Sequence, residues 1–257
     1  MMNAAFKTIG VDAAYEAVSV KREDFRQRFI ELRSAVSGMN LTIPFKSEVI
    51  PLLDGLDDVA GRIGAVNVVK RDGARNLGYN TDVNGIVAPL REHGKDSVRS
   101  ALLVGAGGAA RAFCEAMSQL GCGSITVAVR EPSKGQEFIK AMAKVFPGVR
   151  FGFTTLSRLQ KTDVDLIFNA TPIGSGDEAL PDPLKRVIYG HSTVFDAVYR
   201  PMKTELLRTA ELRGCSTIYG YEMLLSQGTL AFEIWTSRNA PKEEMRRALL
   251  ENLGVAS

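Results

Sequence analysis

The chain has 257 residues, 45% of them hydrophobic, which is enough to bury a sizeable core. Lysine and arginine number 32 against 29 acidic residues, and no basic run is long enough to follow a nucleic acid, so a small-molecule substrate is favoured over a nucleic-acid partner. The three cysteines lie at no metal-ligand or redox spacing, and no segment is typical of a membrane span or a signal peptide, so we expect no metal, reduced thiols, no membrane contact and a cytoplasmic location.

The N-terminal part of the chain contains two predicted helices and one predicted strand. Residues 1–10 (MMNAAFKTIG) look helical and end at a glycine. Residues 13–20 (AAYEAVSV) alternate apolar and polar residues, which predicts a half-buried strand. Residues 24–36 return to helical spacing, with Phe25 and Phe29 on a face that we expect to join the core.

A proline and a lysine lie close together in an extended segment, residues 39–46 (MNLTIPFK). Pro44 predicts a helix over residues 45–53, because proline suits the first helical turn. Lys46 would then lie in that turn, where its positive charge opposes the helix dipole. The penalty indicates a functional lysine, although a solvated surface lysine is an equally good interpretation of this feature alone.

A hairpin and a polar cluster follow. Strands are predicted at residues 64–70 and 75–79, on either side of an Asp72-Gly73 turn. Asn80-Thr81-Asp82 comes next, and a helix is predicted from Val83. On its own, this cluster is typical of a helix N-cap.

A glycine-rich loop joins a buried strand to a helix within residues 100–111 (SALLVGAGGAAR). Gly105, Gly107 and Ala110 fit the fingerprint in which glycines permit a tight turn and backbone N–H groups approach a pyrophosphate at a helix N-terminus. A second strand at residues 124–129 completes a βαβ unit. This context favours a dinucleotide site over a tight turn without a nucleotide.

The second half of the chain alternates predicted strands with helical or loop segments, which is typical of a parallel sheet with crossovers. After the glycine loop, strands are expected at residues 125–129, which is the second strand of the βαβ unit, and at residues 150–153, 165–168 and 193–195. Two helices, over residues 221–238 and 242–253, are predicted to close the chain.

The end of the second strand of a dinucleotide fold distinguishes the two nicotinamide cofactors. An acidic residue there binds the 2′-hydroxyl of NAD, whereas a basic residue binds the 2′-phosphate of NADP. Arg130 and Lys134 are suited to clamp a phosphate, and Glu131 lies one place later than expected for the acidic alternative. The sequence favours NADP over NAD.

Hydride transfer at an alcohol also needs a group that handles the hydroxyl proton. Neither histidine is well placed, since His93 lies late in a charged helix and His191 precedes a predicted strand. A lysine can serve when a carboxylate holds it in place. We therefore predict Lys46 and Asp82 as the catalytic pair.

A competing pattern is the Y-x-x-x-K spacing of short-chain dehydrogenases, matched by Tyr199 and Lys203. In those enzymes the two residues share a helix face, which Pro201 makes improbable here. The glycine loop also lacks the TGxxxGxG form of that family. We reject the match.

Several ordered motifs together resemble the shikimate dehydrogenase family over nearly the whole chain: LTIPFK, GAVN, GYNTDVNG, LLVGAGGAAR, NATPIG, DAVYRPMKTELL and GYEMLLSQ. The resemblance implies an α/β fold with a substrate domain (residues 1–82 plus 220–257) and a Rossmann-type, NADP-binding domain (residues 83–219), with the active site in the cleft between them. It also implies reversible reduction of 3-dehydroshikimate to shikimate, in aromatic amino acid biosynthesis, or the corresponding reaction of a close cyclic hydroxy acid. A monomer or homodimer is expected.

The resemblance also implies a role for individual residues. The family's catalytic lysine and aspartate fall on Lys46 and Asp82. Its substrate-binding residues fall on Asn40, Thr42, Asn67, Tyr199 and Gln227. Its cofactor-binding residues fall on Gly105, Ala106, Gly107, Gly108, Ala109, Arg130, Lys134, Asn169, Ala197 and Gly220.

The chain departs from the family pattern in several places. It begins after the G-x-P-x-x-H-S-x-S-P segment, whose two serines hydrogen-bond the substrate carboxylate, so we expect an upstream start or a first sheet without an interior strand. Ser175, Val129 and Glu222 replace a methionine, an asparagine and a glycine of the family motifs. A quinate-type dehydrogenase and a non-catalytic dinucleotide-binding paralogue remain open, although retention of Lys46 and Asp82 favours an enzyme.

Overall fold

The computed structural model describes residues 1–176 and 179–255. The chain divides into two compact units, the first formed by Met1–Asp82 with Leu225–Ser257 and the second by Val83–Leu224. The predicted domains include residues 177, 178, 256 and 257, which lie outside the described residues. Each unit combines helices with a sheet, which confirms the predicted α/β class.

Strands and helices are numbered in chain order. The strands are β1 (Gly38–Asn40), β2 (Gly55–Leu56), β3 (Val68–Asp72), β4 (Arg75–Tyr79), β5 (Ser100–Val104), β6 (Ser124–Val129), β7 (Arg150–Thr155), β8 (Leu166–Asn169), β9 (Thr193–Asp196) and β10 (Ser216–Ile218). The α-helices are α1 (Met2–Thr8), α2 (Phe25–Ala35), α3 (Asp58–Ile63), α4 (Asp82–Glu92), α5 (Gly108–Gln119), α6 (Pro132–Val145), α7 (Asp182–Val187), α8 (Glu205–Leu212), α9 (Gly220–Thr236) and α10 (Lys242–Asn252). Short 3-10 turns occur at Ile50–Leu52 and Leu156–Arg158.

The first unit contains a four-stranded sheet in the order β1-β3-β4-β2. The predicted hairpin is confirmed, because β3 and β4 are antiparallel and pair Asp72 with Arg75, although its first strand begins at Val68 rather than at residue 64. Gly73 supports this turn with a φ of 59°, a conformation that glycine adopts without steric cost. Strand β1 pairs with β3 so that Asn40 lies opposite Val68.

The core of the first unit forms between α2 and the sheet. Phe25 and Phe29, four residues apart on one face of α2, are 6% and 2% exposed and pack in a cluster with Val49, Val66 and Val69. These contacts confirm the predicted core face of α2. Burying one such aromatic side chain stabilises the fold by about 1.5–3 kcal/mol.

The strand predicted over residues 13–20 is wrong. The segment forms no regular strand and is almost entirely exposed. The side chain of Asn3 makes hydrogen bonds with both backbone groups of Tyr15, donating to its carbonyl oxygen at 3.0 Å and accepting from its N–H at 2.6 Å. A side chain therefore takes the backbone groups that a neighbouring strand would use.

The helix predicted over residues 45–53 is also wrong. Turns occupy this segment and only Ile50–Leu52 forms a 3-10 turn. The Lys46 carbonyl accepts a hydrogen bond from the Val66 N–H at 2.7 Å. Its partner is therefore a residue distant in sequence and not the next turn of a local helix. Pro51 also has no N–H with which to continue an α-helical ladder.

The second unit contains a six-stranded parallel sheet in the order β10-β9-β8-β5-β6-β7. The predicted parallel sheet is confirmed, and β10 is a further strand beyond those predicted from the sequence. From β5 the chain moves outward through β6 to β7 and then returns to the opposite side of β5 with β8. The connection after β5 leads to β6 on one side, and the connection after β8 leads to β9 on the other side. In such sheets this divergence opens a crevice at the carboxyl ends of the strands, where ligands bind.

Residues 199–203 are not helical, and α8 begins only at Glu205. The rejection of the short-chain dehydrogenase pattern is therefore confirmed. Among the described residues, no helix has both the length and the apolar character that a membrane span requires.

Candidate active site and cofactor cavity

Lys46 and Asp82 form an ion pair in the first unit. The Lys46 Nζ lies 2.5 Å from Asp82 Oδ2, and the two side chains are 15% and 5% exposed. Asp82 is the first residue of α4, a position where the helix dipole stabilises a carboxylate. The two residues predicted as catalytic are thus in contact, although 36 positions separate them in sequence.

Asn67 connects this pair to a buried polar network. Its amide nitrogen lies 2.9 Å from Asp82 Oδ1, 2.9 Å from Thr81 Oγ1 and 3.2 Å from Gln227 Oε1. Its amide oxygen accepts the backbone N–H of Thr81 at 2.7 Å. Because both ends of the amide have partners, its orientation is determined, and Asp82 is held through both carboxylate oxygens.

The other predicted substrate-binding residues differ in how closely they join this network. Asn40 donates from Nδ2 to the Asn67 carbonyl at 3.2 Å, and its Oδ1 accepts from the Tyr15 hydroxyl at 2.9 Å. Thr42 is exposed. Tyr199 belongs to the second unit and is 40% exposed. The structure therefore brings Asn40, Asn67 and Gln227 together, while the roles of Thr42 and Tyr199 stay predictions.

Both histidines are paired with carboxylates outside this network. His93 Nε2 lies 2.8 Å from Glu222 Oε2, and the other oxygen of Glu222 accepts the Tyr219 N–H at 2.9 Å, at the start of α9. His191 Nε2 lies 2.5 Å from Asp163. Glu222 therefore binds both His93 and a backbone N–H group at the start of α9.

A cavity of about 660 Å³ opens at the carboxyl ends of β5, β6 and β8 in the second unit. Gly107 is the N-cap of α5 and makes no side-chain capping hydrogen bond, so the first N–H groups of the helix are left for an anionic ligand. The residues that line the cavity include Gly105, Ala106, Gly107, Arg130, Glu131, Lys134, Thr171, Gly174 and Ser175.

Glycine is suited to two positions of the loop for different structural reasons. Gly105 has a φ of +109°, and a Cβ there would lie 2.7 Å from Cγ2 of Thr171. Gly107 has an ordinary extended backbone, and a Cβ there would meet no atom within 4 Å. The fold itself requires glycine at the first position, whereas at the second glycine leaves the cavity clear. Gly108 and Ala109 form the first turn of α5.

The cavity carries three charged residues after β6. Arg130, Glu131 and Lys134 all line it. Glu131 Oε1 accepts Lys134 Nζ at 2.8 Å, and the two side chains are 60% and 67% exposed. Cations suited to a phosphate and a carboxylate suited to a hydroxyl therefore occur at the same end of the cavity.

Three other predicted cofactor residues, Asn169, Ala197 and Gly220, are not among the described residues that line the cavity. Asn169 is fully buried and its amide nitrogen donates to the Ile173 carbonyl at 3.0 Å. A Cβ on Gly220 would lie 2.4 Å from the Val198 carbonyl oxygen, so this glycine permits a close backbone approach. Cofactor contact by these three residues stays a prediction.

Asp196 was not selected from the sequence, yet it holds two loops next to the cavity. Its buried carboxylate accepts hydrogen bonds from Asn169 Nδ2 at 2.9 Å, the Val198 N–H at 3.0 Å and the Thr204 hydroxyl at 2.6 Å. Burial raises the pKa of this carboxyl group to about 6. An acidic residue directly after the apolar run Thr193–Phe195 was the signal that could have identified it.

Comparisons with known proteins agree with this architecture. Residues 1–69 match the family model of the shikimate dehydrogenase substrate binding domain, and residues 220–250 match that of the shikimate 5′-dehydrogenase C-terminal domain. Shikimate dehydrogenase (NADP(+)) from Moorella thermoacetica is 39% identical over 264 aligned positions, which cover 100% of this chain and 89% of that protein.

Solved structures give the same result. Shikimate 5-dehydrogenase from Thermus thermophilus in complex with NADP(H) and shikimate has a TM-score of 0.83 and 34% identity, covering 97% of this chain and 92% of the other. Quinate dehydrogenase from Corynebacterium glutamicum in complex with NAD has a TM-score of 0.84 and 26% identity, covering 97% and 92%. The match to the Moorella relative over the whole of this chain, together with both family models, establishes that this chain belongs to the shikimate dehydrogenase family.

Proposed function

We propose that this chain catalyses the reversible, NADP-dependent reduction of 3-dehydroshikimate to shikimate, a step of aromatic amino acid biosynthesis. The observation that carries the proposal is the buried contact between Lys46 and Asp82, held by Asn67. A reaction that moves a hydroxyl proton needs such a positioned acid and base. The NADP-dependent shikimate dehydrogenases that match the whole chain support the same reaction.

We assign substrate binding to residues 1–82 plus 220–257 and dinucleotide binding to residues 83–219. The polar network of Asn67, Thr81 and Gln227 supports the first assignment, because its amide and hydroxyl groups suit a polyhydroxylated ring. The cavity at the end of the parallel sheet supports the second.

The residues of the cavity fit a dinucleotide phosphate. The uncapped N-terminus of α5 suits a pyrophosphate, and a Cβ at Gly107 would meet no protein atom within 4 Å. Arg130 and Lys134 suit a 2′-phosphate. A nicotinamide cofactor held by these residues would accept the hydride as NADP+ in the oxidation and donate it as NADPH in the reduction.

Lys46 handles the proton in both directions. During reduction its ammonium group gives a proton to the substrate carbonyl oxygen, as the carbonyl carbon gains a hydride and becomes a secondary alcohol. During oxidation the neutral amine takes the hydroxyl proton back. Asp82 accepts the Lys46 hydrogen bond at 2.5 Å and so holds the Lys46 side chain in place, while Asn67 prevents Asp82 from turning away.

The remaining substrate contacts and the cellular setting are part of the proposal. We assign substrate binding to Asn40, Thr42, Asn67, Tyr199 and Gln227, as in the family motifs. The three cysteines are buried free thiols, which suits a reducing compartment, so we place the protein in the cytoplasm. We expect a monomer or a homodimer.

A spectrophotometric assay tests the function. Shikimate and quinate are each offered with NADP and with NAD. The absorbance of the reduced nicotinamide gives the initial rate and the amount formed at equilibrium. The highest kcat/KM is expected for shikimate with NADP. Preference for quinate would support the second candidate, which the similarity to the Corynebacterium quinate dehydrogenase favours. Cofactor binding without any turnover would support a non-catalytic paralogue.

A further inference from the structure

The charged end of the cofactor cavity combines a carboxylate with two cations. Arg130, Glu131 and Lys134 all line the cavity. Glu131 is the N-cap of α6, but its side chain makes no capping hydrogen bond. Its carboxylate instead pairs with Lys134 Nζ at 2.8 Å. The glutamate therefore faces the same space as Arg130 and Lys134, the residues proposed to bind the 2′-phosphate, and its side chain does not cap α6.

The Glu131–Lys134 pair can be opened at little cost. Both side chains are more than half exposed, and ion pairs between exposed side chains contribute little net stability. Each side chain can therefore leave this ion pair and bind a group of the ligand instead. Lys134 can turn to a 2′-phosphate, and Glu131 can accept a hydrogen bond from a 2′-hydroxyl.

The two cofactors make opposite demands on Glu131. A 2′-phosphate carries one to two negative charges near neutral pH, so it is repelled by the carboxylate and must also compete with it for Lys134. A ribose 2′-hydroxyl is uncharged and can donate to the carboxylate. Glu131 therefore weakens NADP binding and strengthens NAD binding at a site whose other charged side chains favour NADP.

We propose that Glu131 is the specificity-determining residue that lowers the preference of this chain for NADP over NAD, so that the enzyme accepts both cofactors. This inference rests on the proposed function, since it concerns the nucleotide half of the same site. Arg130 and Lys134 supply the attraction for the phosphate, and Glu131 opposes it. Removing the negative charge of Glu131 makes the chain more selective for NADP.

The experiment measures the dissociation constants of NADP and NAD by titration calorimetry, with the 257-residue chain and no substrate. In Glu131→Gln the ratio of Kd for NAD to Kd for NADP is expected to rise about fivefold. Glu137→Gln is the matched control, because Glu137 is an exposed residue of the same helix outside the described cavity lining and its substitution makes the same change in net charge. An unchanged ratio in Glu131→Gln, or an equal rise in Glu137→Gln, would overturn the proposal.

A second background separates direct contact from an effect through the lysine. In Lys134→Gln, adding Glu131→Gln is expected to raise the ratio again, because the carboxylate acts on the 2′ group itself. Loss of the shift in that background would contradict this direct action. Turnover is measured separately. A shifted ratio of the two dissociation constants without turnover would contradict only the proposed function. Turnover with an unshifted ratio would contradict only the role of Glu131.

Discussion

Two buried carboxylates differ in the way their charge is met. Asp82, in the first unit, pairs with the ammonium of Lys46 and accepts a hydrogen bond from Asn67. Asp196, in the second unit, accepts three hydrogen bonds from neutral donors of Asn169, Val198 and Thr204. The charge of Asp82 is therefore met by a cation, whereas the carboxyl group of Asp196 has only neutral partners, and burial raises its pKa.

The same contrast extends to the two regions around them. The first region is built from side chains, with an amide, a hydroxyl and an ion pair that orient one another. The second presents backbone N–H groups, glycines and an open cavity, with its charged side chains at the edge. The polar groups of the first region hold one another in fixed positions, whereas the second region leaves space for a large ligand.

The largest expected effect comes from breaking the ion pair. Lys46→Ala should lower kcat by roughly 10²–10⁴, as for loss of a positioned proton donor. Cofactor affinity should persist, because the cavity residues are unchanged. Steady-state rates and calorimetric titration with NADP measure the two quantities. Lys7→Ala is the matched control, since Lys7 is an exposed residue of α1; a loss of less than tenfold in Lys46→Ala would contradict the assigned role.

The second expected effect concerns Asp196 and depends on pH. Burial raises its folded-state pKa to about 6, from an ordinary value of 3.8. The folded state therefore binds more protons than the unfolded state between these values, so the stability contributed by the protonated form is present below about pH 4 and is lost as the pH rises through 6. The full change is up to about 3 kcal/mol at 1.36 kcal/mol per pKa unit.

Asp196→Asn cannot titrate, so its free energy of unfolding should vary less between pH 4 and pH 7 than that of the original chain. Urea denaturation at several pH values measures the slope. Asp165→Asn is a control of opposite sign, because the hydrogen bond from Arg99 lowers the pKa of Asp165. Its stabilising contribution is present above its ordinary pKa and is lost as the pH falls. An unchanged slope in Asp196→Asn would show that this group stays charged throughout.

The third expected effect concerns the nucleotide edge of the cavity. Arg130→Ala should weaken NADP binding about ten- to a hundredfold, the equivalent of roughly 1.5–3 kcal/mol for a charge-assisted contact. NAD binding should change much less, because NAD has no 2′-phosphate. Equilibrium titration with both cofactors gives the comparison. Lys140→Ala, at an exposed residue of the following helix α6, controls for net charge. Equal losses for both cofactors would contradict the assignment of Arg130.

The sequence predicted the parts of the molecule that depend on local pattern. The glycine loop, the buried strands and the hairpin at Gly73 each have a short-range signature, and the structure contains all of them. The contact of Lys46 with Asp82 was predicted from chemical need and family resemblance rather than from spacing. Its geometry was accessible only in the structure, since 36 positions separate the two residues.

The errors came from segments whose partners are distant in sequence. The alternation of residues 13–20 predicts a strand, but a strand needs a neighbour, and Asn3 satisfies Tyr15 instead. The helix predicted after Pro44 failed because Val66 takes the Lys46 carbonyl. Likewise, nothing local indicates that Asn169 and Thr204 converge on Asp196. Such pairings are tertiary, and they override local propensity.

The smallest expected effect uses the two glycines of the cavity loop. Gly107→Ala adds a methyl group where no protein atom lies within 4 Å, on a backbone that alanine accepts. Stability should change by less than about 1 kcal/mol, because alanine restricts the unfolded chain but is a poorer N-cap residue than glycine. The affinities for NADP and NAD should both fall about tenfold, since the new methyl group lies in the path of the shared pyrophosphate. Thermal unfolding and calorimetric titration measure the two effects.

Gly105→Ala is the contrasting variant, because it places strain in the fold itself. Its φ of +109° is unfavourable for alanine, and its Cβ would lie 2.7 Å from Thr171 Cγ2. It should therefore lose roughly 1–3 kcal/mol of stability even without a cofactor. If Gly107→Ala bound both cofactors as tightly as the original chain, the pyrophosphate could not pass close to that residue. The space that Gly107 leaves open would then have no role in binding, and the distinction between a glycine required by the fold and a glycine required by the ligand would fail.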